Sequence, residues 1–300
     1  MREISAAELA AEDDSVPQFF LPHHAILRPD STTTKLRIVF DASCKSGSGL
    51  SLNDILMTGP TIQNTLNDIV LRFRMPAFVL MGDLCKMYRQ ILHHPLDQRL
   101  LRIYWRQNTS ETLKIFQLLT VTYGTSSAPF LATRVLQQLA EDEQERYPLA
   151  ATVIRKDMYM DDLLTGCNDV GKLKQLCSQL LGIFESAGMQ LRKISSNHQE
   201  ILNEIPEECR ETKSLIEFDS DAPVKALGLL WEPATDSLLY KMPKFAKCEQ
   251  YTKRIILSQT SSCFDPLGLL GSAVVKAKIL LQTLEARLRL GSPAVESIRQ

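Results

Sequence analysis

Residues 158–162 read MYMDD and lie inside ATVIRKDMYMDDLLTG, residues 151–166, an apolar stretch broken by two adjacent carboxylates. Self-repulsion and desolvation both oppose placing Asp161 beside Asp162 in such surroundings. The pattern predicts two extended arms with the acids at the bend. Working back, AFVLMGD, residues 77–83, reads as a short buried strand closed by a lone acid, Asp83. Neighbouring strands of one sheet would bring the three carboxylates together, where each raises the pKa of the others unless a cation neutralises them.

Either motif alone is a weak signal, because Y-x-D-D recurs by chance and an acid at a strand end is usually a cap or a surface group. Together they suit hard oxygen coordination of Mg²⁺ or Mn²⁺. Two such ions can clamp the attacking and leaving oxygens of an in-line phosphoryl transfer, which is nucleotidyl-transfer chemistry. Residues 18–40 read as two extended segments around a polar turn at 28–34, a hairpin carrying Arg28, Lys35 and Arg37. Lys35 and Arg37 could hold a triphosphate, since a guanidinium fork matches phosphate oxygens and an ammonium acts as a point charge. The plain alternative is two exposed strand cations.

Composition narrows the classes further. With 44% hydrophobic residues over 300, the chain can bury a core shared by two or three subdomains. No apolar run approaches the ~20 residues a membrane span needs, and no secretory segment opens the chain, so an intracellular protein is expected. The seven cysteines are scattered and never spaced C-x-x-C, and they read as reduced thiols. His23-His24 and His93-His94 do not make a zinc site, because adjacent strand side chains face opposite ways. A net charge of −1 argues weakly against a nucleic-acid partner, although acidic stretches at 8–14 and 141–143 on solvated faces leave room for a local basic surface.

Periodicity places helices at 61–74, stopped by Pro76, at 130–144, and at 173–187 with Gly188 as C-cap. Strands are expected near Tyr104 and Phe116 and in MQLRKIS and VKALGLLWE, with a mostly helical tail from Lys247 around a DPLG turn at 265–268.

TTTKLRIVFDAS, SLNDIL, GDLCKMYRQI, VTYGTSSAPF, YMDDLLTG, LRKISSN, VKALGLLWEP and FDPLGLL stand in an order and spacing that resembles the reverse transcriptase of Pao/BEL-type LTR retrotransposons, over roughly residues 17–285. The resemblance implies an α+β right-hand polymerase: fingers, a ferredoxin-like palm with an antiparallel sheet, and a partial helical thumb. The expected divisions are an N-terminal segment and fingers at 1–78, palm at 79–94, more fingers at 95–122, palm with a primer-grip hairpin at 123–236, and connection with partial thumb at 237–300. Carried over, Asp83, Asp161 and Asp162 are the catalytic carboxylates for two Mg²⁺ ions, with Mn²⁺ a possible substitute, and Leu84 adds its backbone carbonyl.

In the same resemblance, Arg37 and Lys35 contact the triphosphate, and Tyr88 is the steric gate against a 2′-hydroxyl. Tyr123 and Gly124 lie where nucleotide and template are positioned; retroviral enzymes carry glutamine at the tyrosine's place. Lys193 is similar to the lysine that protonates departing pyrophosphate. Tyr159 and Met160 form the floor under the primer end, and Gly228 and Trp231 the primer grip. Lys276 and Lys278 of the thumb would face duplex phosphates. The packing alternatives are a helix aromatic for Tyr88, an exposed strand lysine for Lys193 and a core tryptophan for Trp231.

The implied partners are an RNA template, a DNA or RNA primer and dNTPs, in the cytoplasm or, for an intact element, a virus-like particle, with no membrane. The chain reads as a piece of a polyprotein in which no ribonuclease H, integrase or protease signature is visible. Two other functions compete: a truncated, non-catalytic nucleic-acid-binding remnant, and a peptidase, for which no catalytic residues are seen.

Overall fold

The computed structural model describes residues 1–13, 15–27, 35–211, 224–226, 229–239, 252–262, 265 and 267–287. Its centre is a four-stranded antiparallel sheet built on Phe78–Leu84. On one side this strand pairs with Asp162–Cys167, which continues to the two-residue strand Met158–Tyr159; on the other it pairs with Leu191–Ser196. Two helices, Ala128–Asp142 and Pro148–Asp157, fill the connection before the hairpin, and Val170–Ser186 crosses back to the last strand.

Strand alternation divides the core between the two faces of this sheet. Leu80, Leu84, Leu163 and Leu191 face the three helices and pack with Ala132, Leu136, Ile154, Leu180 and Phe184. Val79, Met81 and Leu164 face the other way, onto Ile69, Val70 and Phe73 of the helix Leu66–Phe73 and onto Trp231. Burial at both faces explains why 78–84 reads as a nearly unbroken apolar run.

The long helix follows its sequence signals. Asp169 caps it by accepting from the Lys172 amide at 2.7 Å. It buries Leu173, Leu176, Cys177, Leu180, Ile183 and Phe184 at three- and four-residue spacing. At its end Gly188 adopts φ +66°, with Gly188 N–H donating to Glu185 and Met189 N–H to Phe184, a Schellman closure.

Several expectations change. Residues 151–157 are helical, not extended: Pro148 opens a helix whose Ala150, Ala151, Val153 and Ile154 are buried along one side, so only Met158–Tyr159 forms the first arm. The helix expected over 61–74 begins at Leu66, because the Thr65 hydroxyl caps it by accepting from the Asp68 amide. Residues 61–64 stay irregular.

His23–Leu27 and Leu36–Phe40 pair as the expected antiparallel ribbon; the turn at 28–34, with Arg28, lies outside the described residues. Arg102–Trp105 and Lys114–Gln117 form a sheet with Arg2–Ile4 at its edge. The acidic run at 8–14 is not wholly a solvated face. Glu12 ion-pairs with Arg99 at 2.8 Å and with the fully buried Arg102, which also donates to Gln18 at 2.7 Å. Val224–Ala226, Leu229–Glu232 and Ser237–Leu239 form a further antiparallel sheet, while Gly228 and residue 247 lie outside the described residues. Toward the C-terminus the described residues form helices Lys253–Ser261 and Gly271–Arg287.

Candidate active site

Register puts two of the acids face to face. Asp83 is the direct cross-strand partner of Asp162, two residues beyond the Met81–Leu164 pair, so both lie on the Trp231 side of the sheet at the edge of its apolar layer. Like charges directly opposite one another destabilise a sheet. The Leu84 amide donates to the Asp161 carbonyl at 2.8 Å and ties the bend to the end of the central strand.

The bend is tight. Tyr159 pairs with Asp162, so Met160 and Asp161 are the two central residues, and Met160 takes φ +56°. This position in a two-residue hairpin normally belongs to glycine. Three of the four described non-glycine residues at positive φ, Lys86, Met160 and Lys193, lie on the segments that carry the acids and their partners. Held backbone strain of this kind collects at functional sites.

Asp161 is exposed on the bend, yet the protein around it removes enough water to push its carboxyl pKa up. Asp83's charge adds to the rise, while its own backbone hydrogen bond and Lys193 oppose it.

Lys193 reaches the site through a bulge. As the central strand advances from Met81 to Asp83, its partner moves from Ser195 to Arg192, one residue more than an even register allows. Lys193 sits in this bulge at φ +51° and places Nζ 3.0 Å from Asp83 Oδ2. Desolvation works to lower its pKa, but the Asp83 hydrogen bond and the charges of Asp83, Glu211 and Asp162 together win and raise it. Glu211 was not anticipated. Its amide donates to the Ile194 carbonyl at 3.1 Å, and its carboxyl is pushed up by burial and by Asp83, against Lys193.

Around the acids, Tyr88 lies half-buried on a single 3₁₀ turn, Met87–Gln90, packed against the helical core. Burial and then the charge of Asp161 push its phenol up. Tyr123 joins this turn to the ribbon: its ring lies 5.3 Å from Phe40, and Arg89 sits 5.9 Å over the ring while donating to its hydroxyl at 3.3 Å. Gly124 must be glycine, with φ +96° and a Cβ that would lie 2.3 Å from the Phe40 carbonyl oxygen. Asn53 of SLNDIL fixes this loop, donating to the Gly124 carbonyl at 3.0 Å and accepting from the Ser126 amide at 2.8 Å.

The structure therefore gathers Asp83, Asp161, Asp162, Lys193, Leu84 and Tyr88 into one locality. Tyr159 is part-buried on the Trp231 side. Trp231 is 1% exposed, edge-on to Phe73 at 5.5 Å, and donates to Asp236 at 2.8 Å. Its ring is core, so it anchors its strand to the sheet. Lys35 and Arg37 are exposed on the separate ribbon, and Lys276 and Lys278 on the helix Gly271–Arg287.

The donors fit a hard divalent cation in kind: three carboxylates, two of them opposed across a ladder and one of raised pKa. Among the described residues no three His, Cys, Asp or Glu side chains converge into a ready cage. Lys193 supplies the nearest ion-paired positive charge to Asp83.

Compared with known families, residues 45–217, over half the chain, match Reverse transcriptase (RNA-dependent DNA polymerase). Residues 252–289, which include both C-terminal helices and were assigned above to a connection and thumb without a visible ribonuclease H, match the Pao retrotransposon-like RNaseH-like domain. No curated protein matches the chain. With opposed acids at a strained bend inside the first of these matches, the chain belongs to the reverse transcriptases, the RNA-directed DNA polymerases, of the Pao-type retrotransposons.

Proposed function

We propose that Asp83, Asp161 and Asp162, with the Leu84 carbonyl, form the nucleotidyl-transfer centre, in which a primer 3′-hydroxyl on an RNA template attacks an incoming dNTP. The observation that carries this reading is the cross-strand opposition of Asp83 and Asp162, with Asp161 on the adjoining bend. When bound by these residues, two Mg²⁺ ions, or Mn²⁺ in their place, supply the positive charge that activates the hydroxyl and steadies pyrophosphate. Lys193 holds a proton on Nζ at neutral pH, suiting it to protonate the leaving group. Arg37 and Lys35 grip the triphosphate as the ribbon approaches. Tyr88 closes the space beneath the sugar, while Tyr123 and Gly124 fix the loop between ribbon and site.

The four-stranded sheet, with its strand–helix–strand–strand–helix–strand order, is read as a ferredoxin-like palm at 79–94 and 123–236. The ribbon and the sheet of Arg2–Ile4, Arg102–Trp105 and Lys114–Gln117 are the fingers at 1–78 and 95–122, and 237–300 is the connection and thumb, its helices overlapping the stretch that matches the RNaseH-like domain. Tyr159 and Met160 floor the primer end; Trp231 anchors the hairpin that, with Gly228, grips it. The work takes place in the cytoplasm or a particle formed there, beside any further polyprotein domains such as ribonuclease H and integrase.

Purified protein with Mg²⁺, dNTPs and a DNA primer annealed to an RNA template should extend the primer, and Asp161→Asn should not. Extension no greater than that of the variant would leave a nucleic-acid-binding remnant as the better account.

A further inference from the structure

The bend that carries Asp161 and Asp162 is held from outside its own hairpin. Met160 sits at φ +56° without the freedom of glycine, a conformation that persists only where surrounding structure imposes it. Its amide donates to Gln63 Oε1 at 3.2 Å, a contact across 97 residues of sequence. Gln63 is part-buried in the irregular stretch 61–64 before the helix Leu66–Phe73.

That stretch is itself stitched down on both sides. Gln137 donates to the Ile62 carbonyl at 2.8 Å. Asn64 donates to the carbonyls of Arg155 and Lys156 at 3.3 and 3.1 Å, groups that the end of the helix Pro148–Asp157 leaves without intrahelical partners. Arg72, on the following helix, completes the seam with a 2.9 Å ion pair to Asp157, whose other oxygen accepts from Thr165. Gln63 thus reaches the bend from a fixed base.

From this geometry we infer that Gln63 is a positioning residue for catalysis: its side-chain oxygen holds the Met160 amide and so fixes the direction in which Asp161 points. It rests on the polymerase reading above. Gln63 touches no reacting atom. Its effect passes through the backbone of the bend, where small displacements of a reacting group carry large rate costs.

Gln63→Met keeps length and bulk and removes the acceptor. Hydrogen exchange of a peptide spanning 158–165 should quicken in this variant, with the 170–186 helix exchanging as before and little change in melting temperature. In primer extension kcat should fall about tenfold, with the KM for dNTP and the affinity for template–primer near wild type. Unchanged exchange at 158–165, or an unchanged kcat, overturns the inference. A wild-type protein that extends no primer overturns the polymerase reading and the catalytic role with it, while the exchange comparison still decides whether Gln63 holds the bend.

Discussion

At the end of the four-stranded sheet, Asp83 is met by the Lys193 ammonium at 3.0 Å on a bulged strand, above a core that is closed on both faces. On the two-stranded ribbon, Lys35 and Arg37 are exposed beside Ile26, Leu27 and Leu36, which are exposed too. The sheet carries strained residues because packing over-determines its backbone, and shifted pKa values because burial and neighbouring charges act on its acids. Under the proposed function the ribbon's cations act on a bound triphosphate, so their contribution should show as ligand affinity rather than as stability.

Breaking the sheet's side of this comparison gives the largest effect. Asp161→Asn should lower primer extension by about a thousandfold or more, read in single-turnover assays. Stability should move the other way. A carboxyl with a raised folded pKa binds its proton more tightly in the folded state, so it weakens the fold progressively as pH climbs through that raised value. Asparagine carries no such penalty. The variant's melting temperature at pH 7 should be no lower than wild type, and any advantage should vanish below the ordinary aspartate value of 3.8.

Next is the base of the ribbon's neighbour sheet. Arg102 is completely buried, and Glu12 is its carboxylate partner. Glu12→Ala leaves a buried guanidinium with only the neutral acceptors Gln18 and Gln117, which should cost about 3 kcal/mol in chemical denaturation. Arg37→Ala should be milder and of a different kind, with kcat/KM for dNTP down about tenfold and melting unchanged. A comparable loss of stability at Arg37 would erase the distinction between the two regions.

Much of this contrast was legible in the residues. The central strand, its terminal acid, the hairpin with paired acids and the cationic ribbon each follow from local pattern, and register then joined Asp83 to Asp162. The first arm of the hairpin reads as extended because VIRKD carries β-branched residues, while the helical burial of Ala150, Ala151 and Ile154 needs the neighbouring helices to be known. Glu12 read as surface because nothing in a sequence says which distant arginine is buried. Gln63 offered no cue of its own, since QNT falls inside the helix expected over 61–74. Lys193 is singled out only by the resemblance of LRKISSN, and the bulge that brings it to Asp83 is invisible in a sequence, since bulges arise from pairing between strands rather than within one.

Glu211 is the sharpest example of that limit and supports the smallest prediction. It lies outside every recognised block, and its backbone bond to Ile194, beside the Ile194–Arg210 bridge, brings it near Lys193 and Asp83. Burial dominates its raised pKa and Asp83 adds to it, with attraction to Lys193 insufficient to cancel them. Ionised, it therefore weakens the fold at neutral pH, and the sign matches that at Asp161. Glu211→Gln should raise the melting temperature at pH 7 by a degree or two, with the gain shrinking toward zero as pH falls below the ordinary glutamate value of 4.5. A lower melting temperature would mean that its pairing with Lys193 outweighs its desolvation. The bulge would then be stabilised by Glu211 as well as by Asp83, and the acidic end of the sheet would be balanced by one lysine shared between two carboxylates.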